Sequence, residues 1–228
     1  MYSRAIRIAA LAPDGLEKVF FTGGGADANE NAIRMARLHT GRSKVLSFYR
    51  SYHGNTGAAI TSTGDPRRWP NEFATGHLHF FGPYPYRSSF WATTEQEECQ
   101  RALEHLEEVI TFEGPSTIAA ILIETIVGTA GVLIPPPGYL AGIRALCDKH
   151  GIVYIADEVM CGFGRTGKWF AVEHWDVVPD ILVAAKGVSG GYVPLAVLIA
   201  HERVVGALRA IGTPWVAGLP GSVRTSTS

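Results

Sequence analysis

Short apolar runs alternate with longer amphipathic segments along most of the chain, and this pattern predicts alternating strands and helices. The apolar runs predict strands over residues 19–21, 44–49, 118–123, 152–156, 181–185 and 195–200. Apolar positions at helical spacing predict helices over residues 26–39, 95–110 and 139–150. Several of the strands are apolar throughout, which is typical of strands buried on both faces. We therefore predict an α/β fold in which helices cover a mostly parallel sheet in three layers.

The segment of residues 63–93 breaks this alternation. It contains four prolines and a high density of aromatic residues, so we expect a long loop. Such a loop is typical either of a contact with a second subunit or of a substrate channel, and the pattern leaves both possibilities open. Residues 212–228 show no periodicity, and we expect an irregular tail there, after a single domain over residues 1–211.

Composition and charge narrow the classes of function. With 46% hydrophobic and 18% charged residues among 228, the chain has enough apolar material for one large buried core. Its formal net charge of −1 gives no long-range attraction to nucleic acid or to an anionic membrane, so we expect neither as a partner. The most apolar stretch, residues 118–135, carries Glu124 and two glycines, which indicates a buried strand and a loop and argues against a membrane span.

The cysteines argue against a disulfide framework and a metal site. Cys99, Cys147 and Cys161 are odd in number and lack the CxxC spacing of zinc sites, so we expect small buried or half-buried side chains. Unpaired cysteines fit a reducing compartment, and residues 1–12 lack a signal-peptide pattern. We expect a cytoplasmic protein without a bound metal.

Two charged residues directly follow predicted buried strands. Lys186 follows the run of residues 181–185, where burial would disfavour the ammonium form. A lysine in this position acts as a neutral amine that forms Schiff bases, is paired, or extends to solvent. Asp157 follows another apolar strand 29 positions earlier, and parallel strands bring their carboxyl ends to one edge, where ligands bind. Such an aspartate holds the protonated nitrogen of a pyridine ring or caps a helix.

Two further motifs lie between predicted elements. The turn Thr-Gly-Gly-Gly-Ala-Asp of residues 22–27 connects a strand to a helix. It suits either a phosphate on the helix N-terminus or a plain tight turn. Tyr52 and His53 follow the strand of residues 44–49, where an aromatic ring either stacks on a planar ligand or simply packs.

Together these motifs resemble the class III (ω-amino acid) aminotransferase family. The most specific segments are Val-Tyr-Ile-Ala-Asp-Glu-Val at 153–159, Gly-Phe-Gly-Arg-Thr-Gly at 162–167, and Pro-Asp-Ile at 179–181 leading to Lys-Gly at 186–187. Gly-Gly-Tyr-Val-Pro-Leu at 190–195 continues the pattern, and the resemblance extends over residues 20–203. It implies an incomplete large domain of the aspartate-aminotransferase fold type I, with pyridoxal 5′-phosphate as the cofactor.

The resemblance also implies roles for particular residues. Lys186 would carry the cofactor as a Schiff base and then move the proton, while Asp157 would hold the pyridine nitrogen. Tyr52 and Val159 would pack on opposite faces of the ring. The backbone N–H groups of Gly25 and Ala26 would hold the phosphate. His53 belongs to the motif of the stacking aromatic residue, and Glu124 matches a glutamate near the family's site.

The implied reaction is the transfer of an amino group from an amine or amino acid to pyruvate or 2-oxoglutarate, with a weak similarity to the taurine and ω-amino acid–pyruvate branch. A racemase or aminomutase of the same family and an inactive remnant that binds only cofactor or a partner are the alternatives. The sequence departs from the family at Thr125 and Met160, next to the expected site. Family members are also homodimers of about twice this length, so we expect an N-terminal segment and a C-terminal small domain to be missing and the chain alone to be inactive or weakly active.

Overall fold

In a computed structural model, which describes residues 2–71 and 74–210, seven strands form a single sheet. The strands are β1 (Leu16–Thr22), β2 (Lys44–Phe48), β3 (His77–Phe80), β4 (Ile118–Glu124), β5 (Val153–Asp157), β6 (Ile181–Ala184) and β7 (Ala196–His201). The helices are α1 (Tyr2–Ala9), α2 (Gly25–Thr40), α3 (Gly57–Ser62), α4 (Glu95–Glu113), α5 (Tyr139–His150) and α6 (Glu202–Ala210).

The order of strands across the sheet is β1-β7-β6-β5-β4-β2-β3. Strands β3, β2, β4, β5 and β6 run parallel to one another, whereas β7 is antiparallel to both β6 and β1. The prediction of a mostly parallel sheet is therefore confirmed, and β7 is the antiparallel exception.

Helices cover the sheet on both faces, as the apolar strands predicted. All seven residues of β4 are buried, and the neighbours Ile121 and Leu122 belong to different core clusters. The cluster of Ile121 includes Leu106 of α4 and Ile143 of α5, while that of Leu122 includes Ile33 of α2. Because successive side chains of a strand point to opposite faces, the two clusters are the two interfaces of a three-layer domain.

Helix α2 has well-defined ends, and both are formed by glycines. Its N-terminus follows Gly24 in an extended conformation, without a side-chain cap. Its C-terminus is closed by Gly41, whose left-handed φ of 68° lets the Gly41 N–H reach the Arg37 carbonyl. The helix therefore begins beside the carboxyl ends of the parallel strands with its first N–H groups free of a side-chain cap.

The prediction of an unbroken loop over residues 63–93 is wrong. The segment contains β3, which pairs with β2 at the edge of the sheet, and two 3₁₀ helices, Pro66–Asn71 and Pro85–Arg87. Strand β3 escaped prediction because His77 and His79 interrupt its apolar pattern, and tertiary partners such as Arg37 and Ser62 satisfy the His77 ring. Helices α1, α3 and α6 were not predicted either, and the expected tail of residues 212–228 lies outside the described residues.

The cysteines behave as expected. Cys147 and Cys161 are buried, Cys99 is half-buried, and all three thiols are free. Within residues 2–71 and 74–210, no group of three or more His, Cys, Asp or Glu side chains is arranged to hold a metal ion. No helix in this part of the chain has the length and apolar character that crossing a bilayer requires.

Candidate functional site

All eight residues predicted for the site line one cavity at the carboxyl edge of the sheet. Its volume is about 320 Å³. The eight residues are Gly25, Ala26, Tyr52, His53, Glu124, Asp157, Val159 and Lys186. Gly54, Asn55, Thr129, Met160 and Ala185 complete the lining. The cavity forms here because β4 and β5 end in register, with Glu124 opposite Asp157, while β6 ends just before Lys186.

Asp157 is a buried carboxylate that accepts hydrogen bonds on both oxygens. The Val159 N–H donates to Oδ1 over 3.0 Å, and the Asn29 side-chain amide donates to Oδ2 over 2.8 Å. His53 Nδ1 lies 2.8 Å from the same Oδ2, an arrangement that calls for a proton on Nδ1. The chain after Asp157 forms turns instead of a helix, so the alternative of a helix cap is wrong. Three donors hold the carboxylate in place.

His53 and Asn29 are fixed against each other and leave one buried atom each without a partner. The Asn29 amide donates to the His53 carbonyl over 2.8 Å, and the His53 N–H donates to Thr63 Oγ1 over 3.0 Å. His53 Nε2 and Asn29 Oδ1 find no hydrogen-bond partner among the described residues. Unpaired buried polar atoms are costly, and their position behind Asp157 marks this region as a polar site that the polypeptide alone does not satisfy.

Glu124 connects two segments of the cavity wall through hydrogen bonds. Its Oε1 accepts the Tyr52 N–H and its Oε2 accepts the Gly128 N–H, each over 2.9 Å. Burial raises the pKa of Glu124; the His53 charge opposes this change, and the nearby Asp157 carboxylate adds to it. Glu124 therefore fixes the backbone that carries the Tyr52 ring and the turn that carries Thr129.

The N-terminus of α2 is shaped to receive an anion. Gly24 provides no side-chain cap, so the first N–H groups of the 16-residue helix are open to a ligand. A Cβ on Gly25 would lie 2.7 Å from Val159 Cγ2, so only glycine permits this close approach of α2 to the Val159 side chain. The glycine turn consequently leaves backbone N–H groups beside the cavity.

Lys186 adopts one of the arrangements that the sequence left open, in which the side chain extends to solvent. Lys186 is exposed, because β6 ends at Ala184 and Ala185 is the last buried residue of the run. The side chain still lines the cavity, which is open on this side. Gly187 follows in a turn that contacts Phe163, and a Cβ on Gly187 would lie 2.7 Å from the Phe163 Cβ. Lys186 thus reaches the cavity from its open edge.

Glu158 follows Asp157 in the chain and stabilises the site without lining the cavity. It is fully buried and accepts the N–H groups of Ala171 and Val172 and the Thr125 hydroxyl over 2.7–3.1 Å. Burial raises the pKa of Glu158 to about 7, against the lowering effect of these hydrogen bonds. The departure from the family at Thr125 therefore supplies a partner for Glu158.

Asn29, Thr63 and Thr129 contribute to the site without a distinctive signal of their role in the sequence. Asn29 is the fifth residue of α2 and is fully buried, and a buried asparagine in an amphipathic helix is itself a signal of a specific hydrogen-bond partner. Thr63 and Thr129 lie at turns and carry no distinguishing spacing. Their roles depend on contacts between distant segments.

The described residues fit pyridoxal 5′-phosphate. Asp157 offers a buried carboxylate, the uncapped α2 N-terminus offers N–H donors, Tyr52 offers a ring, and Lys186 offers an amine in the same cavity. The cavity volume of about 320 Å³ falls in the range of small-molecule sites, which begins at about 300 Å³.

Comparison with known proteins decides the family. The family model for class-III aminotransferases matches residues 3–218. The chain belongs to the class-III aminotransferases.

Class-III relatives resemble the chain in both sequence and structure. The structure of a taurine:2-oxoglutarate aminotransferase from Bifidobacterium kashiwanohense, solved in complex with PLP and glutamate, is 46% identical and superimposes with a TM-score of 0.88. That match covers 92% of this chain and 48% of the other. An (S)-enantioselective omega-transaminase from Thermomicrobium roseum is 39% identical with a TM-score of 0.87, over 92% of this chain and 48% of its own.

Among curated relatives, the taurine–pyruvate aminotransferase of Bilophila wadsworthia is 37% identical over 198 residues, which is 83% of this chain and 43% of that protein. The chain thus spans about half the length of the relatives that it matches. The class-III family and the fold type I architecture both agree with the resemblance seen in the sequence.

Proposed function

We propose that this chain is the cofactor-binding part of a pyridoxal 5′-phosphate-dependent aminotransferase that moves an amino group from an amine or amino acid to a keto acid. The observation that carries the proposal is the convergence of Asp157, Lys186, Tyr52 and the α2 N-terminus on one cavity. When bound, the cofactor supplies a pyridinium ring that withdraws electrons from the carbon bearing the amino group.

Asp157 holds the proton of the pyridine nitrogen. Its carboxylate is already oriented by Val159, Asn29 and His53, so no rearrangement is needed when the ligand nitrogen approaches. A fixed negative charge in a buried position keeps the partner nitrogen protonated. Asp157 acts in this way only while its own three donors keep it in place.

Lys186 attaches the cofactor and carries the proton. Lys186 is exposed and lines the cavity, so its amine would be accessible both to the cofactor and to an entering amino compound. Tyr52 and Val159, which both line the cavity, would pack against the cofactor ring, and the N–H groups of Gly25 and Ala26 would bind its phosphate.

The substrates are a small amino donor and a keto-acid acceptor. Relatives named as taurine–pyruvate, putrescine–pyruvate and taurine:2-oxoglutarate aminotransferases support pyruvate or 2-oxoglutarate as the acceptor. We also propose a homodimeric, cytoplasmic full-length protein; the family membership and the three free cysteines support these two proposals.

Borohydride reduction tests the cofactor site directly. The purified chain is incubated with pyridoxal 5′-phosphate and reduced, and its peptides are mapped by mass spectrometry. We expect one phosphopyridoxyl group, on Lys186, because this amine alone among the lysines lines the cavity. Lys186→Ala should abolish it, whereas Lys149→Ala, which removes an exposed lysine on α5, should not.

A second measurement separates transamination from related reactions. Amino transfer from taurine or β-alanine to pyruvate or 2-oxoglutarate is followed by the new amino acid formed, with each keto acid omitted in turn. Turnover that needs no keto acid would indicate a racemase or aminomutase. Labelling spread over surface lysines would refute the site itself, and labelling of Lys186 without turnover would indicate a protein that binds the cofactor only.

A further inference from the structure

Tyr52 is held at two points, only one of which belongs to the cavity wall. Its backbone N–H donates to Glu124. The guanidinium carbon of Arg67 lies 3.7 Å from the centroid of the Tyr52 ring, the shortest such distance among the described cation–ring pairs. A stacked guanidinium at this distance restrains the plane of the ring.

Arg67 is itself fixed by Asp65. Arg67 Nε donates to both Asp65 oxygens over 3.0 and 2.9 Å, Nη2 also contacts Oδ2, and the Arg67 backbone N–H donates to Oδ1 over 2.9 Å. The Asp65 N–H in turn donates to the Ser51 carbonyl, one residue before Tyr52. The ion pair and the ring thus belong to one closed unit, built from the turn after β2 and the start of the Pro66–Asn71 helix.

The guanidinium of Arg67 lies over one face of the Tyr52 ring. Tyr52 lines the cavity whereas Arg67 does not, although the two side chains are stacked. The side chain of Arg67 is 49% exposed, so it backs the ring from the solvent side. Arg67 therefore covers one face of the Tyr52 ring, and a planar ligand in the cavity can stack only on the opposite face.

We propose that Arg67 is a positioning residue that holds the Tyr52 ring in the plane needed to stack on the pyridine ring of the cofactor. This inference rests on the proposed function. A half-buried tyrosine without this backing can rotate about its side-chain bonds and must be ordered when the ligand binds. Arg67 lowers this ordering cost because it fixes the Tyr52 ring before the ligand binds. Asp65 keeps the guanidinium stacked on the ring and prevents it from turning into solvent.

Binding of pyridoxamine 5′-phosphate measures this effect without the covalent step, because this ligand has the ring and the phosphate but no aldehyde for Lys186. Its dissociation constant is measured by titration of ligand fluorescence. Arg67→Met keeps the length of the side chain and removes the planar cation, and we expect binding to weaken about two- to fivefold. Arg87→Met is the matched control, because Arg87 lies over the exposed Tyr86 ring, away from the cavity.

A double-mutant cycle with Tyr52→Leu assigns the loss to the ring. If Arg67 acts through Tyr52, Arg67→Met has no further effect in the Tyr52→Leu protein. If Arg67 acts by attracting the anionic phosphate, the same loss persists in both backgrounds, and the proposal is wrong. Asp65→Asn removes the charge that holds the guanidinium but keeps the side chains of Arg67 and Tyr52. It is expected to raise the dissociation constant of pyridoxamine 5′-phosphate, as Arg67→Met does.

Failure of this inference and failure of the proposed function give different results. Wild-type binding together with an Arg67→Met protein that matches the Arg87→Met control would overturn the role of Arg67 alone. Absence of pyridoxamine 5′-phosphate binding by the wild-type chain would overturn the cofactor site, and the role of Arg67 with it.

Discussion

Asn29 provides a sensitive test of the polar network behind the cavity. Asn29→Asp keeps the shape of the side chain but removes the amide that donates to Asp157 and to the His53 carbonyl, each over 2.8 Å. The two lost hydrogen bonds are worth about 3 kcal/mol, because one acceptor is charged. Two carboxylates about 4 Å apart repel each other by about 4 kcal/mol at an effective dielectric constant of about 20.

Protonation of one carboxyl group limits this cost. Keeping one aspartate protonated at pH 8 costs about 6 kcal/mol, since the ordinary pKa is about 3.9 and each unit corresponds to about 1.4 kcal/mol. At pH 5 the same protonation costs about 1.5 kcal/mol. We therefore expect Asn29→Asp to lower the free energy of unfolding by about 6 kcal/mol at pH 8 and by about 2 kcal/mol at pH 5. The first value is a large part of the stability of a typical domain.

Urea unfolding followed by circular dichroism at both pH values measures this difference. Asn31→Asp is the matched control, because Asn31 lies two residues along α2 and donates only an exposed hydrogen bond to the Asp27 carbonyl. A difference between the two variants below about 1 kcal/mol at pH 8, or one that does not change with pH, would show that Asn29 and Asp157 are not coupled as described.

Three further perturbations test other parts of the site. Gly25→Ala places a methyl group 2.7 Å from Val159 Cγ2, so we expect pyridoxamine 5′-phosphate to bind about tenfold more weakly in a fluorescence titration. Gly64→Ala places a Cβ 1.9 Å from the Phe48 carbonyl oxygen and should cost about 3 kcal/mol or more in urea unfolding. Burial raises the pKa of Glu158 from 4.5 to about 7, so the folded state binds this proton more tightly. The free energy of unfolding should therefore fall by about 3 kcal/mol as the pH rises from 4.5 to about 7. Glu158→Gln should abolish this pH-dependent decrease.

Each of these three experiments has an outcome that would contradict its reasoning. Gly41→Ala is the control for Gly64→Ala, because a Cβ on Gly41 would have no atom within 4 Å. This variant should lose only about 1–2 kcal/mol of stability, from the strain of its left-handed φ. An equal loss for Gly64→Ala would contradict the steric argument. Unchanged binding by Gly25→Ala would mean that α2 can retreat from Val159. A pH–stability profile of Glu158→Gln parallel to that of the wild type would show that Glu158 does not titrate in this interval.

The positions of Asp157 and Lys186 show why much of the site was predictable. Both directly follow continuous apolar strands, and parallel strands place their carboxyl ends at one edge of the sheet. The order of elements along the chain was therefore sufficient to expect them in one cavity, together with Gly25 and Tyr52, which lie at the ends of neighbouring elements. Their individual roles came from the resemblance to a family and stay predictions.

The exposure of Lys186 and the strand β3 show where the sequence was insufficient. An apolar run does not specify the residue at which a strand leaves the core, so the exposure of Lys186 depends on the turn that follows β6. The histidines of β3 break its apolar pattern, and only the contacts of His77 with Arg37 and Ser62 make a strand favourable at that position.

The sequence by itself determined the α/β class, the mostly parallel sheet and the convergence of strand ends, because these follow from local patterns of apolar residues and from chain connectivity. Only the tertiary structure decided that Asn29 and His53 orient Asp157 and that Arg67 stacks on Tyr52. Hydrogen bonds and ring contacts need atoms placed within a fraction of an ångström. Segments more than 100 residues apart, such as those of His53 and Asp157, reach that precision only when the whole sheet has formed.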